Sequence, residues 1–134
     1  MENMVAGKSY AFAIRIVRLY KLLSAERKEF VLSKQLLRSG TAVGALIKEA
    51  EHAQSKADLL NTMNIALKEA NEAEYWLRLL KDPDIINEPE HISISNDCKE
   101  VIKLLASIVK TAKQKLRNKN ENSPFSIQSK TFHF

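Results

Sequence analysis

Apolar residues recur at helical intervals through almost the whole of this chain, and the register persists across its middle, Arg38 to Glu49, where the side chains become unusually small. A stretch such as Ser39-Gly40-Thr41-Ala42-Val43-Gly44-Ala45, which keeps an apolar stripe without bulk, reads as a helix that a second backbone approaches closely. Gly40 and Gly44 form a G-x-x-x-G step there. Each glycine costs ~1 kcal/mol of helix propensity relative to alanine, so close packing is the reading that offsets it. The step leaves a groove in which a neighbouring helix or a large aromatic such as Tyr75 or Trp76 can seat. Gly44→Leu is therefore expected to destabilise or dissociate the protein, an expectation that unchanged melting and unchanged mass would reject.

Spacing predicts four helices. In the first, Phe12, Ile16, Leu19 and Leu23 recur at intervals of 4, 3 and 4, flanked by Ala13, Val17 and Tyr20. A polar connection, Ser24 to Lys28, leads to Leu32, Leu36, Ser39, Val43, Leu46, Ala50 and Ala53 on the second. Ser55, three residues before Asp58, resembles a capping box, and Leu59, Met63, Ala66, Ala70, Ala73, Leu77 and Leu80 follow on the third. Asp82-Pro83 ends that helix, because proline cannot continue the hydrogen-bond ladder. A linker holding Pro83 and Pro89 then crosses to Ser93 or Ser95 as N-cap, and the fourth helix carries Cys98, Ile102, Leu105, Val109, Ala112 and Leu116.

With 134 residues, three glycines and three prolines, the chain is expected to form one all-α domain. Short connections force antiparallel neighbours, so the predicted fold is an up-down-up-down four-helix bundle over residues 1–117. Asn118 to Phe134 shows no helical period and is expected to be a flexible C-terminal tail. The single Cys98 sits within an apolar stripe, which suits packing in a reducing compartment, and a cytoplasmic location is the expectation. Arg15, Arg18 and Lys21 interrupt the first apolar stretch, which is neither an export signal nor a membrane span. Several stripes are wide: Ile65, Tyr75, Trp76 and Leu79 lie outside the main row of the third helix, and Phe12 and Leu19 broaden the first. Either one generous core absorbs them or the helix faces associate between copies.

Catalytic chemistry lacks a candidate. Gly7, Gly40 and Gly44 are too dispersed for a phosphate-cradling loop. Glu49-x-x-His52 has the spacing of a di-iron bundle motif, but the third helix offers Glu69, Glu72 and Glu74 without a histidine, and Glu88 to His91 contains Pro89. Neither metal nor other cofactor is expected, and the protein is read as no enzyme. Arg38, Glu49 and Glu74 each lie one residue from a stripe position, near the core margin, where opposite charges can pair across helices or stay solvated.

Charge is the clearest pointer to a partner. Lys8 to Arg38 holds eight basic residues against Glu26 and Glu29, whereas Glu49 to Glu90 holds ten acids against four bases. Lys99 to Lys119 holds seven bases against Glu100 alone. Within that last segment Lys99, Lys103, Lys110, Lys113 and Arg117 are spaced by 4, 7, 3 and 4, which places them on one ridge suited to phosphate contact. No interleaved aromatics accompany them, so weak sequence discrimination is expected.

The segment Arg38-Ser-Gly-Thr-Ala-Val-Gly-Ala45 followed by Ile47 and Glu49, the turn Gln54-Ser-Lys-Ala-Asp58, and Ala66 to Leu80 with Glu74, Tyr75, Trp76 and Leu77 resemble the four-helix bundle proteins encoded by intervening sequences in bacterial 23S ribosomal RNA genes, a family often named ribosomal. The resemblance covers Lys8 to about Leu116. One departure is Leu46, where that family usually has Asn, so a polar contact made by the amide is lost here. The resemblance implies a bundle without known catalysis. It also implies a homopentamer, because relatives that include the accessory protein of diversity-generating retroelements form pentameric barrels, and those retroelement relatives bind reverse transcriptase and nucleic acid. Two functions follow: a non-catalytic homo-oligomer that binds RNA or another nucleic acid through its basic surface, or a protein-interaction scaffold, for example a reverse transcriptase partner, that does not.

Overall fold

Four helices follow one another: α1 (Glu2–Ala25), α2 (Val31–Ala50), α3 (Lys56–Lys81) and α4 (Glu88–Glu121). The computed structural model describes residues 2–121. Each helix packs on the next and α4 closes on α1, with no diagonal pair in contact among the described residues. The neighbours are antiparallel, as successive contacts show: Gly40 faces Ile16 while Gly44 faces Ser9, and Lys8, Arg15 and Arg27 reach Glu100, Asp97 and Glu90 in turn.

The apolar stripes are the core. Phe12, Ile16 and Leu23 of α1, Leu36, Val43 and Ile47 of α2, Met63, Leu77 and Leu80 of α3, and Cys98, Val101 and Leu105 of α4 are all buried. Each large side chain so placed contributes about 1.5–3 kcal/mol against the unfolded chain's conformational entropy. Ala66, Ala70 and Ala73 form a low ridge along α3 that lets its neighbours come close; Cys98 Sγ donates to the Ala70 carbonyl at 3.4 Å. In α2 the buried position is Ile47, with Leu46 only half-buried against the core. The small-residue step is filled by α1, not by Tyr75 or Trp76, which lie on α3. A methyl added at Gly40 would stand 2.9 and 3.0 Å from the two γ-carbons of Ile16, whereas one at Gly44 would sit 3.6 Å from Ser9. The steric limit is therefore at Gly40.

Helix ends follow local chemistry. Glu29 stands in for the side-chain cap that Phe30 cannot supply, accepting from the backbone N–H of Val31, Leu32 and Ser33 at 3.1, 2.8 and 2.7 Å. Burial pushes the Glu29 carboxyl up, but those donors outweigh it and hold the group below the usual carboxylate range. α2 stops at Ala50, so Ala53 lies in the following turn and not on the helical row. Ser55 caps α3 as expected, accepting from Asp58 N–H at 3.0 Å. Asp84, at φ 64°, turns the chain after α3 while Ile85 and Ile86 N–H return to the Leu80 carbonyl.

The start of α4 corrects the expectation. Neither Ser93 nor Ser95 is the N-cap; the helix begins at Glu88, with Asn87 and Glu90 capping one another reciprocally at 2.9 and 2.8 Å. Pro89 sits in the first turn, where a missing N–H costs nothing, so it opens the helix instead of breaking it. At the other end α4 continues to Glu121, four residues past the expected boundary at Arg117. The remainder of the expected tail lies outside the described residues.

Candidate nucleic-acid interface

The unequal lengths of the helices decide which charges stay free. Lys8 of α1 pairs with Glu100 of α4 at 2.5 Å. Six residues of α1 (2–7) remain beyond that pair, whereas α4 runs on for 21 (101–121). Roughly 22 Å of α4 therefore has no α1 alongside it, at 1.5 Å of rise per residue. That stretch holds Lys110, Lys113, Lys115, Arg117 and Lys119, with no acid between Glu100 and Glu121.

Upstream, the opposite charges that the sequence segregates by segment meet across helices. Arg15 donates to Asp97 at 2.5 Å and to both the carbonyl and the hydroxyl of Ser93. Arg27 forms a two-pronged pair with Glu90 at 3.0 and 2.7 Å, which holds that carboxyl below its ordinary range, and also donates to the Ile85 carbonyl. Arg38 reaches α3, donating to Glu69 at 2.9 and 3.2 Å and to Glu72, whose carboxylate also accepts the Trp76 indole N–H at 2.9 Å. That indole first, and then Arg38, hold the Glu72 carboxyl low against the opposing effect of burial. Exposed pairs of this kind contribute about 0–1 kcal/mol each and serve chiefly to set helix register. Of the eight bases from Lys8 to Arg38, four are engaged in this way, so α1 presents far less free positive charge than its composition suggests.

Of the three residues placed at the core margin by spacing, only Arg38 makes an interhelical pair. Its partners are Glu69 and Glu72, not Glu49 or Glu74; neither of those has a cation within 4 Å among the described residues. Glu49 is exposed and Glu74 half-buried. His52 lies in the turn after α2, off the helix that carries Glu49, and no group of three or more His, Cys, Asp or Glu side chains is gathered for a metal ion among the described residues.

All five ridge residues, Lys99, Lys103, Lys110, Lys113 and Arg117, are exposed, and none has an acidic partner within 4 Å among the described residues. Three of them, Lys110, Lys113 and Arg117, rim a groove of about 500 Å³ between α3 and α4 whose floor is Leu67, Ala106 and Val109. No aromatic side chain lines it. The arrangement can hold phosphates along a backbone; it has no stacking platform for bases. Sequence spacing could not show that acids at the start of α4 are paired by Lys8, Arg15 and Arg27, while α4 beyond Glu100 carries bases with no acid until Glu121.

The six residues assigned to packing or an oligomer interface separate into two groups. Phe12, Gly40 and Gly44 serve the bundle's own interior, Phe12 at 1% exposure and the glycines at the α1–α2 contact. Leu19 lines a shallow pocket between α1 and α4 with Arg15, Arg18 and Ser93. Tyr75 is 57% exposed and meets half-buried Trp76 edge to face, with ring centroids 5.1 Å apart. Ile65, on the same helix, and Ile14 and Val17 of α1 are also exposed. No described helix is long and apolar enough to cross a membrane.

These features bear comparison with known proteins. A sequence model of 23S rRNA-intervening sequence proteins matches residues 1–107. The chain is similar to a solved protein of unknown function from the S23 ribosomal protein family of Bacteroides thetaiotaomicron VPI-5482, with 60% identity and a TM-score of 0.80 over 81% of this chain and 97% of that one. No curated protein matches it. Lys110, Lys113 and Arg117 lie beyond the residues matched by the sequence model, so the lower half of the ridge stands on this chain's own sequence. With most of its length matched, and four helices in the order expected of such proteins, the chain belongs to the 23S rRNA-intervening sequence protein family.

Proposed function

We propose that the protein is a non-catalytic helical bundle that binds RNA or another nucleic acid through the cationic ridge of α4. The observation that carries this reading is the run of unpaired cations on α4 where α1 no longer covers it, rimming a groove without acids. Contact would be to phosphates, with little dependence on base sequence. If three to five phosphates are neutralised, log Kobs for a duplex falls with log salt at a slope of about −3 to −4.5. The experiment is duplex-RNA binding by fluorescence anisotropy between about 50 and 200 mM salt, with Lys110→Glu/Lys113→Glu/Arg117→Glu as the comparison. The wild type is expected to lose roughly 10²-fold in affinity across that range, and the variant to bind little at the low end. No binding by either protein at about 50 mM salt would instead favour the scaffold reading, in which a protein partner docks on the bundle.

The same proposal includes self-association. Exposed apolar residues occur on α1 (Ile14, Val17) and on α3 (Ile65, Tyr75), helices that do not touch within one bundle. Two different patches on diagonal helices suit a head-to-tail interface, which closes into a ring. A homopentamer, as the family resemblance implies, would gather about +25 of net charge from five copies at +5 and strengthen phosphate attraction at low salt. Sedimentation velocity tests it: a pentamer mass is expected, and a monomer at micromolar concentration would rule it out.

A further inference from the structure

We infer that the groove between α3 and α4 takes an unpaired strand of nucleic acid, with successive phosphates on the wall of Lys110, Lys113 and Arg117 and one base seated on Leu67, Ala106 and Val109, which rests on the nucleic-acid reading above and narrows it to single strands. An apolar floor lies there beneath a cationic rim, in a groove of about 500 Å³ whose lining holds no acid among the described residues.

A duplex has no use for that floor. Its base faces are stacked inside it, so a ridge meets phosphates and sugars, and Leu67, Ala106 and Val109 would stay in contact with water. An unpaired strand exposes the apolar faces of its bases, and seating one removes that surface and the floor from water together. The floor is open because Ala106 is small and exposed, beside half-buried Leu67 and buried Val109. The volume falls within the roughly 300–1,000 Å³ of clefts that hold small molecules, enough for a base. Gln114 also lines the groove, and its side-chain amide offers donors and an acceptor to a base edge.

The row of cations fits the same ligand. Lys110, Lys113 and Arg117 advance by about 4.5 and 6 Å along α4, and the ridge from Lys99 to Arg117 keeps to one side of that helix for about 27 Å, at 1.5 Å of rise per residue. A duplex strand advances about 3.4 Å per phosphate while winding around its own axis, so it leaves such a row after a few phosphates. An extended single strand has no such coil and can follow the row. Charge comes from α4 alone, while α3 contributes Leu67, so the strand lies with its phosphates on the α4 side and a base toward α3. With aliphatic groups in place of an aromatic platform, the seat accepts any base, and discrimination between sequences stays weak.

Fluorescence anisotropy at about 50 mM salt tests this with an unstructured uridine strand of about 12 nucleotides, within the span of one strand-binding site, and a duplex RNA of the same length. The strand is expected to bind at least about fivefold tighter, the low end of what one seated base contributes, although the duplex carries twice the phosphates. Ala106→Leu and Ala106→Gln fill the groove at an exposed helical position that either residue suits, so the bundle stays folded, with circular dichroism as the check. Both are expected to bring strand binding down to the duplex level and to leave duplex binding unchanged. Gln114→Ala should weaken the strand alone, by about two- to fivefold. Duplex binding as tight as the strand's, or a strand preference that survives both Ala106 substitutions, would overturn the inference while leaving the nucleic-acid reading in place. Binding of neither probe would overturn both.

Discussion

Replacing each glycine of the small-residue step by alanine separates a steric effect from a propensity effect on one helix. Both glycines lie in the body of α2, so either replacement recovers about 1 kcal/mol of helix propensity. At Gly44 the new methyl meets Ser9 at ordinary contact distance, 3.6 Å, and nothing opposes the gain. At Gly40 it meets the γ-carbons of Ile16 at 2.9 and 3.0 Å and its β-carbon at 3.4 Å. Those atoms are attached at or next to the Ile16 backbone and cannot swing aside, and Ile16 is fully buried, so overpacking of about 1–3 kcal/mol is expected. Gly44→Ala should therefore stabilise by about 0.5–1 kcal/mol, while Gly40→Ala should be neutral or destabilising by up to ~2 kcal/mol. Thermal unfolding followed by circular dichroism at one fixed protein concentration should put the two variants roughly 1.5–15 °C apart, taking about 3–5 °C per kcal/mol for a domain of this size. Ile16→Ala removes both clashing γ-carbons at a cost of about 2–5 kcal/mol on its own, and should cost less in the Gly40→Ala background. Equal melting of the two alanine variants, or strict additivity with Ile16→Ala, would refute the argument that α1 approaches α2 most closely at Gly40.

Other consequences are open to measurement. Glu29→Gln removes the anion that caps α2 and should cost about 1 kcal/mol by urea unfolding at neutral pH. Because Glu29, Glu72 and Glu90 are held low in the fold, the stability they contribute is complete above the ordinary carboxylate value of 4.5 and is lost as pH falls below it. Urea midpoints should drop in that window, less steeply in Glu29→Gln; a parallel pH profile would count against the cap. His91 has the opposite charge chemistry but the same sign. Its Nε2 is enclosed without a partner among the described residues, and burial, followed by Lys81 and Lys99, lowers its pKa from 6.5 against the smaller pull of Asp82 and Glu74. The stability of the neutral form is whole above pH 6.5 and declines below it, so His91→Asn should flatten the profile below pH 6.5, which urea midpoints at several pH values will show. Cys98 should resist DTNB in the native protein and react on unfolding; fast native labelling would contradict its burial.

Much of this was legible in the residues. The 4/3 alternation from Leu59 to Leu80 identifies the buried face of α3 almost residue for residue, because a helix packed on both sides leaves only one stripe for apolar groups. The cap at Ser55 was readable from Asp58 three positions later. The start of α4 was misread at Pro89, although Asn87 and Glu90 carry the spacing of a reciprocal cap; a proline breaks a helix interior but suits a first turn, and only the flanking residues distinguish these. Ile47 rather than Leu46 faces the core for a similar reason, since a helix of 3.6 residues per turn drifts off a strict 4/3 row.

Local order and burial are properties of periodicity, so the amino-acid sequence alone determined four amphipathic helices, their approximate limits, the core stripes and the position of the α4 ridge. Which charges remain free was decided by tertiary structure. Lys8, Arg15, Arg27 and Arg38 look as available as Lys110 in the chain, yet they meet carboxylates 92, 82, 63 and 31 residues distant for the nearest of each. Such pairing depends on how far one helix runs alongside another, and the relative axial placement of α1 and α4 is set by packing across the whole bundle, not by any segment's own residues. The same placement leaves the lower half of the ridge without α1 alongside it.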